Sequence, residues 1–144
     1  MTGQPEILNV YLAGSYFRRD ELRDRAAELE ADGHHVTSSW LQGDYNTTAK
    51  VTDYTKQQLN SFAIADIWDI DGSDVFIVFS DAPTYARGGK HFETGYAYKA
   101  GLPIIVIGDI EHAFHALHGV QQFDTWAATR QALIEWKSYL IHGD

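Results

Sequence analysis

The sequence predicts an α/β protein: a three-layer flavodoxin/Rossmann-like sandwich on a five-stranded parallel sheet in the order 2-1-3-4-5. Three observations carry that reading. Short apolar runs at residues 7–13, 75–79 and 104–107 are bounded by Gly, Ser or Pro and separated by stretches with helical spacing. Between residues 75 and 107 the chain runs strand, Gly-rich loop, helix, strand, which is the layout of a βαβ crossover. The length of 144 residues and 44% apolar content suit one domain over 1–144 with a single well-formed core.

In chain order, residues 1–6 read as a short unstructured lead. Ile7 to Ala13 is the first strand, turned by Gly14-Ser15. Leu22, Ala26, Ala27 and Leu29 recur at helical spacing over about 20–32, and Gly33 stands where a helix C′ residue is expected. Residues 35–40 form a second strand. Residues 41–52 are polar and aperiodic, a loop long enough to serve as a lid or specificity element. A helix is expected from about Asp53, with Leu59, Phe62, Ile64, Ile67 and Ile70 near one face, until Gly72-Ser73 breaks it. Val75 to Phe79 is the third strand. A helix follows Gly88-Gly89, and Gly101-Leu102-Pro103 turns the chain into a fourth strand at residues 104–107. A short helix near 112–117, a fifth strand at 120–123 and an amphipathic helix over 125–141 complete the pattern.

In such a sheet the ligand lies beyond the carboxyl ends of strands one and three. The loops there carry Gly14, Ser15, Arg18 and Arg19, and Arg87, Gly88 and Gly89. The two glycines at 88 and 89 let backbone approach a ligand, and the helix behind them aims unpaired N–H groups at it. Glu93, about one turn into that helix, is expected to be held ionised by the helix dipole, poised to attack or stabilise an electron-poor carbon.

Composition excludes several classes. With no cysteine there is no disulfide, thiol nucleophile or Cys-bound zinc. A net charge of −9 argues against broad binding to polymeric nucleic acid. No charged-then-apolar leader opens the chain, and no run nears the roughly 18 apolar residues of a membrane span. A cytoplasmic protein without membrane contact is therefore expected. His112, His115 and His118 recur at spacings of three, but no carboxylate-rich motif such as HExxH accompanies them, and no metal is assigned.

Three ordered segments resemble the nucleoside 2-deoxyribosyltransferase family, which includes the deoxynucleoside 5′-monophosphate N-glycosidases. They are Tyr11-Leu12-Ala13-Gly14-Ser15 with Arg18 and Arg19 beyond, Ala65-Asp66-Ile67, and Gly88-Gly89-Lys90-His91-Phe92-Glu93-Thr94-Gly95-Tyr96-Ala97. The resemblance implies a five-stranded parallel fold and cleavage of an N-glycosidic bond through a glycosyl-enzyme ester. The 2-deoxyribosyl group then passes to another nucleobase, or to water in a 5′-monophosphate hydrolase. It also implies that Glu93 is the nucleophile, that Asp66 handles the proton of the departing base, and that Tyr11 orients Glu93. No cofactor is implied. The partners it implies are a nucleoside or nucleoside monophosphate, a free nucleobase, and further copies of the chain as a homodimer or higher homo-oligomer, a neighbour often completing the site. Ser15 with Arg18 or Arg19 is the expected place for a 5′-phosphate. One departure is Arg87, where the transferases carry an acid six residues before the nucleophile.

Simpler readings stand beside these. Tyr11 on a buried strand also fits a core aromatic. Asp66 beside Asp69 and Asp71 also fits a solvated helix face. Arg18 and Arg19 also fit pairing with the acids of their own helix. Trp40 either stacks on a base or packs on the sheet. Arg87, Lys90 and His91 favour an anionic or base-edge contact. A nucleotide-binding sensor without turnover and a flavin-binding electron carrier are the rival functions.

Overall fold

The structure, a computed structural model, describes residues 7–42, 50–84 and 88–142, with backbone only for 137–142. Five strands, β1 (Asn9–Ala13), β2 (His35–Val36), β3 (Val75–Phe79), β4 (Ile104–Ile107) and β5 (Val120–Phe123), form one parallel sheet in the order β2-β1-β3-β4-β5. The helices are α1 (Arg19–Ala31), α2 (Lys56–Asp71), α3 (Gly89–Lys99) and α4 (Trp126–His142). Order and connectivity are as the sequence predicts.

The central strands are apolar at every position because both faces are covered, so periodicity shows only in which face each residue meets. Val10 and Leu12 join the larger core with Leu22, Leu29 and Leu133. Tyr11 and Ala13 point the other way, into a smaller core with Ile70, Phe76 and Ala97 beneath α2 and α3. This alternation aims Tyr11 at the face where the two candidate acids lie.

Local chemistry sets the boundaries. Gly33 and Gly101 adopt positive φ after α1 and α3, where a Cβ would be strained. Thr55 and Gln58 close a reciprocal capping box at the start of α2. The helix therefore begins at Lys56, and the expected start at Asp53 falls in a separate 3-10 turn over Val51–Asp53.

Two expectations fail. β2 spans two residues rather than six. Ser38 Oγ accepts from the Leu12 N–H at 2.6 Å and donates to its carbonyl at 3.2 Å, so a side chain replaces the backbone ladder. The chain then turns through a 3-10 segment, Ser39–Leu41. The apolar stripe of α2 is also not buried along its length. Only Ile70 is fully enclosed, while Ile64 and Trp68 are exposed, Trp68 by 74%. Of the proposed lid, residues 43–49 lie outside the described residues.

Candidate functional site

Glu93, Asp66 and Tyr11 come together from α3, α2 and β1. Tyr11 is completely buried, stacked on Phe76 at 5.4 Å between ring centroids, and its hydroxyl donates to Glu93 Oε1 at 3.1 Å. Glu93 and Asp66 are half-buried and close enough for each to perturb the other's ionisation. Burial raises both acids. Asp66 moves up to about 6, and Glu93 rises further because the Asp66 charge adds to its loss of water. Between their two deprotonation steps the pair carries one proton and one negative charge.

This corrects the expected electrostatics. The helix dipole is expected to keep Glu93 ionised. Instead Glu93 lies beyond the first turn of α3, where the dipole's effect fades, and it faces another acid in a desolvated place. Tyr11, its own pKa raised by burial and then by Glu93, stays a hydroxyl donor.

Beside Asp66 opens a pocket of about 140 Å³ lined by Tyr16, Trp40, Ser61, Phe62, Ala65 and Asp66. Trp40 packs on the sheet and also lines this pocket. Its Nε1–H donates to the Leu12 carbonyl at 3.0 Å, which fixes the ring, and the ring forms a wall of the pocket 6.0 Å from Tyr16. Asp69 accepts from the Ser39 N–H and hydroxyl, at 2.9 and 2.5 Å, and so ties the 3-10 turn carrying Trp40 to the helix carrying Asp66. A larger hollow of about 370 Å³ lies between β4, β5 and α4, on the far side from these acids, and its lining includes Leu133 and Trp136.

The first loop is arranged differently from the expected anion site. Asp81, two residues past β3, accepts from Ser15, from Arg18 at 3.1 Å and from Lys90 at 2.9 Å. Burial pushes Asp81 up, but those three donors outweigh it and hold the carboxyl below its usual range. Arg18 is further engaged by Glu21 and the Ser80 carbonyl, and Lys90 by Glu111 at 2.7 Å and the Phe79 carbonyl. Lys90 is buried, so it is an internal ion-pair partner rather than the exposed contact the sequence suggested.

The other expected binders have mixed placements. Gly14 has a packing reason, since a Cβ there would come within 2.8 Å of Leu22. Among the described residues, a Cβ at Gly88 or Gly89 would have open space. Arg19 is buried at the first residue of α1. Arg87 lies outside the described residues.

Among the described histidines, His91, His112 and His115 form a cluster beside Glu111, while His118 is exposed. Burial lowers the pKa of His91 and pushes that of His115 down to about 4. Sequence reasoning missed Asp81, Tyr16, Phe62 and the part of His91 in this cluster. Asp81 had a signal, its place at the carboxyl end of a central strand; the rest depend on which loops meet.

No protein-family model matches the chain, and no curated protein does. Solved structures do match. A 2-deoxyribosyltransferase from Bacillus psychrosaccharolyticus aligns at a TM-score of 0.64 and 20% identity, covering 88% of this chain and 95% of the other. The chain has a deoxyribosyltransferase-like fold. The CMP N-glycosidase BcmB of Clostridium botulinum shares this fold at a TM-score of 0.52 and 23% identity, with 87% and 97% covered. A conserved protein of Enterococcus faecalis V583 aligns at 0.50 and 18% identity, with 95% and 96% covered. In this deoxyribosyltransferase-like fold Glu93 is held to Tyr11 and Trp40 to Leu12, both residues of β1.

Proposed function

We propose that the protein cleaves the N-glycosidic bond of a 2′-deoxynucleoside and transfers the deoxyribosyl group to a second nucleobase. The observation that carries this reading is the Glu93–Asp66 pair, with one oxygen of Glu93 fixed by Tyr11 and a flat aromatic pocket next to Asp66. The likeness to a 2-deoxyribosyltransferase and to a CMP N-glycosidase supports the reaction class.

The chemistry requires a carboxylate at Glu93 and an acid at Asp66. Near neutral pH the pair holds one proton, which rests on Glu93 as the more strongly raised acid, so that proton passes to Asp66 as substrate seats. A base seated against Trp40 places its glycosidic nitrogen near Asp66. As the C1′–N bond breaks, its electron pair stays on the base, and the proton of the pair moves to the base. Carboxylate oxygen of Glu93 then bonds to C1′, giving a glycosyl ester. A second base attacks C1′, Glu93 leaves, and the proton of the incoming base returns to the pair. Tyr11 keeps the nucleophile from turning and, as a neutral donor, offsets part of its charge.

Asp81 favours a free 5′-hydroxyl over a phosphate. Arg18 and Lys90, two cations, already face Asp81, Glu21 and Glu111, three anions, so a phosphate would have to displace a buried carboxylate. The 5′-monophosphate hydrolase is the second reading, favoured by the convergence of Ser15, Arg18 and Lys90 on a single point. A second copy of the chain is expected on the α2 and α3 side, where Trp68 and Phe92 are exposed by 74% and 66%.

The deciding experiment incubates the protein with a deoxynucleoside, with and without a second free base, and follows both bases by chromatography. Exchange that depends on the second base, and is lost in Glu93→Ala, is expected. Equal turnover by parent and Glu93→Ala rejects the proposed nucleophile; release without exchange points to the hydrolase.

A further inference from the structure

We propose that His91, His112 and His115 form a binding site for one divalent transition-metal cation of the Zn²⁺ type, joining the first turn of α3 to the segment after β4. One ligand nitrogen from each ring lies within 4.8 Å of the others. His112 Nε2 and His91 Nδ1 are 3.0 Å apart, close to the separation of two nitrogens bound to a common cation at about 2.1 Å each.

His112 and His115 are brought onto one side by the 3-10 turn over Ala113–Ala116, because residues three apart eclipse in that geometry. His91 reaches them from α3, with ring centroids 4.6 Å from His112 and 6.1 Å from His115. The sequence pattern alone grouped His112 and His115 with His118; the fold exchanges His118 for His91.

Mutual stacking explains the proximity but leaves a polar atom unsatisfied. His115 is 1% exposed, yet its Nε2 has no hydrogen-bond partner among the described residues. A buried ring nitrogen without a partner costs roughly 1–3 kcal/mol. A cation at the centre takes up His115 Nε2, His91 Nδ1 and His112 Nε2. The Glu111 N–H points at His115 Nδ1 at 3.2 Å, so the neutral ring now carries its proton on Nε2. Binding moves that proton to Nδ1 and gives up this long contact, with no net loss of a proton from the ring.

Glu111 supplies the expected outer support. Its Oε2 is 4.0 Å from His91 Nε2, so a small closure lets that N–H donate to the carboxylate while Nδ1 faces the cation. Three imidazoles and no thiolate suit Zn²⁺, Co²⁺ or Ni²⁺ rather than Mg²⁺ or Ca²⁺. His91 and His112 are only half-buried, which leaves an entry path and a fourth position for water. Because His91 sits two residues before Glu93, an occupied site fixes the part of α3 that carries the proposed nucleophile.

The test uses the full chain, freed of metal by chelator and dialysis, and needs no turnover. Zn²⁺ is titrated by calorimetry and Co²⁺ by its visible absorption, in the parent and in His91→Gln, His112→Gln and His118→Gln. One equivalent per chain is expected in the parent and in His118→Gln, with affinity falling on the order of 100-fold in the other two. Zn²⁺ should also raise Tm in the parent and not in those two. Glu93→Ala should bind like the parent, which separates this site from the proposed reaction. Less than one equivalent in the parent overturns the proposal, as does binding unchanged in both His91→Gln and His112→Gln. Should either variant fail to fold, the Co²⁺ bands of the parent decide: a tetrahedral, nitrogen-rich spectrum supports the site, and the spectrum of the hydrated ion overturns it.

Discussion

The Tyr11 hydroxyl reaches Glu93 Oε1 at 3.1 Å from a strand 82 positions earlier in the chain. Tyr11 is locked by its stacking on Phe76 and by complete burial, so it fixes one oxygen of Glu93 and leaves the other to react. Tyr11→Phe should therefore keep the fold and lower kcat for base exchange by about 10- to 100-fold, with little change in KM. Steady-state kinetics check this; an unchanged kcat removes Tyr11 from the proposed site.

The paired acids should also set the pH dependence of activity. With Asp66 raised to about 6 and Glu93 higher still, the one-proton state dominates near neutrality. A bell-shaped profile of kcat/KM is expected, with its acid limb near pH 6. In Asp66→Asn that limb should disappear with most of the activity.

Stability should move oppositely to the usual carboxylate case. Both pKa values are raised on folding, so the native state binds more protons than the unfolded chain once pH exceeds about 4. The slope of unfolding free energy with pH is then negative, and stability falls as pH climbs through 6 and beyond. Glu93→Gln should melt a few degrees higher than the parent at pH 8, the size of a change on the order of 1 kcal/mol in a domain of this length. The two should converge near pH 4. Thermal melts across that range read it directly.

Asp81 should govern the choice at the 5′ end of the substrate. Asp81→Asn removes the anion between Arg18 and Lys90. The variant is expected to lose ground on nucleosides and gain on 5′-monophosphates, shifting the ratio of their kcat/KM values by about 10-fold or more. A parent that already prefers monophosphates would reject this role.

Trp40→Ala should weaken binding of the base rather than the chemical step. Loss of one stacking face is worth about 1–3 kcal/mol, or roughly a 5- to 150-fold rise in KM. Trp40→Phe keeps a ring but loses the bond to the Leu12 carbonyl, so it should fall between.

Much of this arrangement was legible from residue order alone. Ile104 to Ile107 and Val75 to Phe79 read as strands because strands covered on both faces must be apolar throughout. Glu93 was legible from its place one turn into the helix behind Gly88-Gly89, whereas Asp66 and Tyr11 were singled out by the family resemblance, since each also fits an ordinary helix face or core aromatic. What stayed hidden depends on side chains from distant loops. Nothing near Asp81 in sequence shows that Arg18 lies 3.1 Å away, and His91 gives no local sign of its neighbours at 112 and 115. The ionisation of Glu93 was misread for the same reason: helix position is a local property, whereas a second acid across the cleft is not.

Ser38 has an effect beyond the shortening of β2. By capping Leu12 on both its amide and its carbonyl, it removes the two groups through which a foreign strand could extend the sheet at that margin. The same hydroxyl thus guards the protein against edge-to-edge aggregation and frees the following residues to fold back as the aromatic wall of the pocket beside Asp66.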